Sequence, residues 1–137
     1  MAFAGPMEDR LAIRELYDTY AHGANRQDRA AWLSCYCDDA RWTTHYFDLH
    51  GIEEIAQQYD RIGETVVDTF LTSQVTAIDV RGDTAHCEAV QSESLLYEGG
   101  ATYDLVGRYE DELVRRDGRW RFKVRNYLVK REAAPER

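Results

Sequence analysis

From Glu8 onward, apolar residues fall at Ile13, Leu16, Tyr17, Tyr20, Ala21 and Ala24, the spacing of a single helical face. Glu8 and Asp9 suit the positive end of that helix, and Gly23 and Asn25 mark its close. Asp28 is an acceptable cap for a short second helix through Ala31, Trp32 and Tyr36. Asp38-Asp39 then breaks the pattern. RWTTHYF, residues 41–47, is β-branched and aromatic with alternation and predicts a strand. After Gly51, a third helix runs from Ile52 to about Ile62, with Ile55, Ala56, Tyr59 and Ile62 on one face, and Gly63 closes it.

Beyond Gly63 the period changes from helical to extended. Val66–Val80, Thr84–Tyr97, Thr102–Arg115 and Arg119 to about Lys130 predict four long strands, joined by turns at Arg81-Gly82-Asp83, Glu98-Gly99-Gly100 and Asp117-Gly118. Asp117-Gly118 has the signature of a type I′ hairpin. Alternation in the last strand sets Trp120, Phe122 and Val124 on one face and Arg121, Lys123 and Arg125 on the other, which assigns Arg125 outward. Sheets of this length curl, and the amphipathic helices are what fills the concave side. Residues 1–7 and 132–137 are expected to be loose ends of one domain spanning residues 1–137.

Composition narrows the classes. The 137 residues are 44% hydrophobic and 31% charged, the balance of a soluble globular protein. A net charge of -8 opposes nucleic acid or an anionic membrane as partner. No apolar run approaches the ~20 residues that span a bilayer, and no secretory leader is evident, so a cytoplasmic location is expected. Cys35, Cys37 and Cys87 lack a metal or redox spacing and read as buried thiols. Nine Tyr, four Phe and three Trp are enough to line a pocket as well as fill a core.

Four segments together carry a family resemblance: EDRLAIRELYDTYAHGANRQDRAAWLSCYCDDARW, GIEEIAQQY, TAIDVRGDTAHC and GRYEDELVRRDGRWRFKVR. With this order of elements they resemble the SnoaL-like group of the nuclear-transport-factor-2-like (NTF2-like) superfamily. The resemblance implies an α+β cone, a strongly curved, mostly antiparallel sheet wrapped around three N-terminal helices, with a deep apolar pocket open at one end. Relatives of this group include polyketide cyclases, steroid isomerases, dehydratases and a dehydrochlorinase, so the fold provides a pocket and leaves the reaction open. Dehydratase and dehydrochlorinase relatives use an Asp–His dyad. Their positions fall here on Asn25 and on or near Thr69, neither of which is a base at neutral pH.

The expected activity is therefore cofactor-independent proton transfer (dehydration, isomerisation or cyclisation) on a hydrophobic ring compound. A non-catalytic ligand-binding protein stays open beside it. So does an interaction subunit like the small subunit of a ring-hydroxylating dioxygenase. Tyr20 and Asn25 would hydrogen-bond a substrate oxygen, with packing and helix capping as their alternatives. His45 enters the pocket if the Phe47 face is concave; otherwise it is an exposed strand histidine. Glu93 shares parity with Ala85, Cys87, Ala89 and Gln91, and in an apolar pocket its pKa would rise toward that of a working base; the alternative is a solvated carboxylate. Tyr17, Trp42, Thr69, Phe70 and Tyr103 are expected to contact the ligand. His22, His50 and His86 read as surface groups. His45 and His50 lack a third ligand, so no metal or cofactor is expected. The expected partners are a hydrophobic small molecule and a second copy of the chain in a homodimer.

Overall fold

The computed structural model describes residues 2–133. Its elements are β1 (Phe3–Ala4), α1 (Met7–Asn25), α2 (Arg29–Ser34), β2 (Tyr36–Thr43), β3 (Asp48–His50), α3 (Ile52–Gly63), β4 (Val66–Arg81), β5 (Thr84–Tyr97), β6 (Thr102–Arg116) and β7 (Arg119–Ala133). The seven strands form one sheet in the order β1-β4-β5-β6-β7-β2-β3. The meander β4 to β7 is antiparallel, while β1 on β4 and β2 on β7 are parallel. This is the expected α+β architecture, with the three helices set against one face of the sheet.

The helices form where the apolar stripes foretell them. In α1, Ile13, Leu16, Tyr17 and Tyr20 are buried. Its first turn is anchored by Asp9, which accepts from Arg115 Nη1 at 2.6 Å and Trp120 Nε1 at 3.2 Å. Gly23 does not end the helix. It sits where α2 crosses, and a Cβ there would lie 2.7 Å from the Trp32 amide nitrogen. The chain leaves α1 through Gln27, whose φ is 54°. Asp28 caps α2 by accepting from the Ala31 amide at 3.1 Å. Asp117 and Gly118 have φ of 55° and 74°, the two left-handed residues of a type I′ turn.

Several further expectations change. Phe3–Ala4 is not a loose lead-in but a short strand pairing with Ile78 and Asp79. Tyr36 belongs to β2 rather than to α2. RWTTHYF is not one strand: β2 stops at Thr43 and a turn follows, closed by the Thr44 amide on the Phe47 carbonyl at 2.9 Å. Glu132 and Ala133 extend β7; the rest of the expected loose C-terminal end, residues 134–137, lies outside the described residues.

The largest change is in β7. Phe122 pairs with Leu113 and Val124 with Glu112, so Lys123 is an extra residue without a partner. Such a β-bulge reverses the facing of the residues after it, here as far as a second shift at Lys130, between Val129 and Arg131. Trp120 and Phe122 point inward as expected, but Val124 turns away, and Arg125 and Tyr127 turn into the core. Arg125 is fully buried, the opposite of its expected outer face. The bulged Lys123 reaches across to the Asp39 carboxylate at 2.7 Å, joined there by Arg116 at 2.9 Å.

Candidate functional site

The curled sheet and the helices enclose a cavity of about 670 Å³, within the size range of small-molecule sites. Its walls are chiefly apolar and aromatic: Trp32 from α2, Trp42 from β2, Phe47 from the turn, Tyr59 from α3, and Leu95 and Leu105 from the central strands. These positions follow from the amphipathic stripes and from strand alternation, which send one face of each element inward.

Beneath this cavity lies a charged core. Arg125 Nε and Nη2 each donate to Asp111 at 3.0 Å, and the Tyr17 hydroxyl donates to Asp111 at 2.5 Å. The Arg125 guanidinium lies 3.6 Å from the Tyr109 ring centroid, 4.0 Å from that of Phe122 and 4.6 Å from that of Tyr20, an aromatic cage for a cation. Burial opposes its charge, but Asp111 and the surrounding phenols hold the Arg125 pKa well above its usual value. Burial lifts the Asp111 carboxyl above the ordinary carboxylate range, against the pull of Arg125.

Tyr20 and Tyr109 roof this core and line the cavity. Tyr109 accepts from Trp42 Nε1 at 3.0 Å and stacks on Tyr127, with centroids 4.4 Å apart and planes 12° apart. Gly107 makes room for that stack, because a Cβ there would stand 2.6 Å from Tyr127 Cε1. Burial raises the pKa of Tyr20, opposed by Arg125, so the phenol stays protonated and serves as a donor. Among the described residues, Glu93 is the one carboxylate in the cavity wall. Desolvation by burial pushes it up to about 7, against the opposing influence of Gln91 and Arg125. Glu93 lines the cavity and is half-buried. A carboxyl group that titrates near neutral pH can give or take a proton.

The mouth is built from Tyr46 and Tyr103, whose hydroxyls lie 2.9 Å apart and both donate to the Glu132 carboxylate. Burial raises the pKa of Tyr103, and the bond to Glu132 adds to this.

The structure brings Tyr20, Trp42, Thr69, Glu93 and Tyr103 to the cavity wall. Four other candidates lie elsewhere. The Asn25 amide donates to the Leu71 carbonyl at 2.8 Å and accepts from the Leu71 amide at 2.6 Å. It thus ties the end of α1 to β4 instead of facing the cavity. His45 sits exposed on the turn after β2, beside Glu132 at 3.4 Å, because the strand that would have aimed it inward ends at Thr43. Tyr17 is inward but below the cavity, engaged by Asp111. Phe70 is 70% exposed on the outer face, since alternation gives the inner face to its neighbours Thr69 and Leu71. Tyr109, Asp111, Arg125 and Tyr127 were not among the candidates. Tyr109 and Asp111 share parity with Tyr103 and were legible from it; Arg125 and Tyr127 were hidden by the bulge. Among the described residues no three His, Cys, Asp or Glu side chains converge in a way that could hold a metal ion. No helix among them is long and apolar enough to cross a membrane.

Residues 6–126 match the family model of the SnoaL-like domain. The chain belongs to the SnoaL-like family. No curated protein matches this SnoaL-like domain in sequence. Among solved structures it is similar to a protein from Novosphingobium aromaticivorans assigned by name to the scytalone dehydratases, with a TM-score of 0.87 at 19% identity over 96% of this chain and 90% of that one. It is also similar to a type 3 hexachlorocyclohexane dehydrochlorinase from Novosphingobium barchaimii, at 0.81 and 21% over 93% and 90% of the two chains. A Mycobacterium tuberculosis protein of unknown function gives 0.82 and 23% over 92% and 79%. At such identities the likeness is one of fold.

Proposed function

We propose that this SnoaL-like domain is a cofactor-independent enzyme that moves a proton on a hydrophobic ring compound held in the cone, with Glu93 as its acid–base group. The observation that carries this is the position of Glu93, the sole carboxylate of an aromatic cavity, raised by burial to about 7. In its ionised form Glu93 would take a proton from the carbon beside a carbonyl. The electron pair would pass to the carbonyl oxygen as an enolate, stabilised by a phenol donor such as Tyr20. Where the ring also carries a β,γ double bond, the enolate is a dienolate, and return of the proton from Glu93 to its γ carbon completes an isomerisation; where it carries a β-hydroxyl, the electron pair returns to form the new C=C bond, the β C–O bond breaks, and protonated Glu93 gives its proton to the leaving oxygen, which departs as water. The names of two structural neighbours, a dehydratase and a dehydrochlorinase, support elimination chemistry of this kind.

A panel of ring ketones and hydroxyketones, assayed with the parent protein and with Glu93→Gln, tests the reading. The expected result is turnover that falls by at least ~10²-fold in the variant. In the parent, turnover should rise with pH through about 7 as the carboxylate forms. Undiminished turnover in Glu93→Gln would remove Glu93 from the reaction.

A second reading, a non-catalytic pocket protein, is favoured by one observation. The positions where relatives carry Asp and His hold Asn25, committed to Leu71, and Thr69. It predicts binding without turnover across the same panel. We further propose a homodimer, with Val90 and Leu128 exposed on the outer face of the sheet; sedimentation velocity at micromolar concentration checks it, and a monomer would refute it.

A further inference from the structure

We propose that Gln91 is the positioning residue of Glu93: its side-chain amide donates through Nε2 to the ionised carboxylate and holds that group in its charged, proton-accepting form. The proposal takes from the preceding reading only the choice of Glu93 as the acid–base group, since the hydrogen bond does not require turnover.

Gln91 and Glu93 are alternate residues of β5, which puts them on one face of the strand. Their Cβ atoms are then roughly 7 Å apart, within reach of an amide carried on two methylenes. Glu93 reaches the cavity, whereas Gln91 is no part of its lining and is 4% exposed. It can act on a ligand only through Glu93. The other buried residues on this face of β5, Ala85, Cys87 and Ala89, are small and apolar, so packing alone does not ask for an amide here.

The orientation of the amide points to Glu93. Gln91 Oε1 is buried and has no hydrogen-bond partner among the described residues. The hydroxyl of Ser73, the residue directly paired with Gln91 in β4, is likewise buried and unpartnered. On its other side Gln91 pairs with Gly107, over which the Tyr127 ring lies. A buried acceptor left unpaired is costly. Gln91 accepts that cost with its oxygen while its NH2 serves Glu93, and a local cost of this kind marks a functional position.

The groups around Glu93 agree with this role. Facing it are Arg125 and Tyr127 from β7, Tyr20 from α1 and Tyr109 from β6. Burial raises the pKa of all three phenols, so they stay neutral. Burial also pushes the Glu93 pKa up, and Gln91 opposes this more strongly than Arg125 does. A neutral amide outweighs the guanidinium because Asp111 holds Arg125 through two hydrogen bonds at 3.0 Å. A donor to the charged form favours that form, so Gln91 keeps the Glu93 proton exchangeable near neutral pH.

The test is a 13C NMR titration of protein carrying glutamate labelled at the side-chain carboxyl carbon, the Glu93 signal being the one lost in Glu93→Gln. The parent midpoint should lie near 7. Gln91→Met keeps the length of the side chain and removes the amide. It should raise the midpoint by about one pH unit, a tenfold rise in proton affinity, and Gln91→Leu should do the same. Urea denaturation separates this from a packing role. At pH 5 Glu93 is protonated, and Gln91→Met should be at least as stable as the parent because an unpaired buried oxygen is gone. With a higher folded pKa, stability goes on being lost to higher pH, so the variant should fall behind the parent at pH 9. A midpoint unmoved in both variants would overturn the proposal, as would a variant destabilised equally at pH 5 and pH 9. The two readings fail separately. If Glu93 is the working base, the pH–rate midpoint on the ring ketones moves up with the NMR midpoint in Gln91→Met. A rate profile that stays put while the NMR midpoint moves, or no turnover at all, counts against the reaction alone; an NMR midpoint that stays put counts against Gln91 alone.

Discussion

Glu93 couples protonation to folding, and the sign follows from the direction of its shift. Its folded pKa, about 7, exceeds the unfolded value of roughly 4.3. Between those values the native state holds the proton more tightly than the unfolded chain. Its contribution to stability is therefore complete below the unfolded pKa and is lost as pH rises toward 7, by at most ~1.4 kcal/mol per pH unit. Glu93→Gln removes this dependence. Urea denaturation at pH 5 and pH 8 should show the variant gaining on the parent at the higher pH; equal differences at both would mean that Glu93 is solvated. The Asp111–Arg125 pair makes a second prediction at this scale. Both groups are 0% exposed, so Asp111→Ala strands a buried guanidinium. The expected loss is ~3–5 kcal/mol, read by the same denaturation, and a double variant with Arg125→Met should recover part of it. Of the residues singled out from sequence, Glu93 was placed by alternation along β5, and Thr69 by the resemblance, as the position where relatives carry the dyad histidine. His45 was placed by assuming that the Phe47 face was concave, which fails because β2 ends at Thr43; Phe70, placed beside Thr69, lies on the outer face.

At the scale of elements, the bulge at Lys123 decides what the last strand contributes. With it, Arg125 and Tyr127 face inward; with strict alternation they would face solvent. No periodicity within β7 announces an extra residue, because the bulge is a relation between β7 and β6. Asn25 is another relation between elements. It pairs with the Leu71 backbone as a neighbouring strand would. Asn25→Asp would replace the amide donor by an oxygen facing the Leu71 carbonyl. The expected cost is ~1–3 kcal/mol, with no activity gained. A stable Asn25→Asp protein with new turnover would refute this tether. Gly107→Ala would drive a Cβ to within 2.6 Å of the Tyr127 ring and should cost ~1–3 kcal/mol through overpacking.

At the scale of the whole molecule, the helices fill only part of the concave sheet, and the remainder is the cavity. A ligand that binds only the native state raises stability by mass action, by ~2.7 kcal/mol at a hundred times its dissociation constant. A ring ketone that occupies the cone should therefore raise the melting temperature of the parent protein in a concentration-dependent way. No shift from any ring compound would mean that the space does not open to ligands.

The amino-acid sequence alone determined the order of the helices, the long antiparallel meander, its turns and the family. The helices, meander and turns rest on local periodicity and turn chemistry, which one stretch of chain carries by itself; the family rests on the resemblance of four segments taken together. It also determined that Glu93 lies on the face of β5 shared with small residues. Only the tertiary structure decided which groups meet around it. Strand register, the bulge opposite β6, the Asn25 tether and the cage around Arg125 each depend on two segments far apart in sequence. Their side chains reach their positions only when the sheet has curled and closed over the helices.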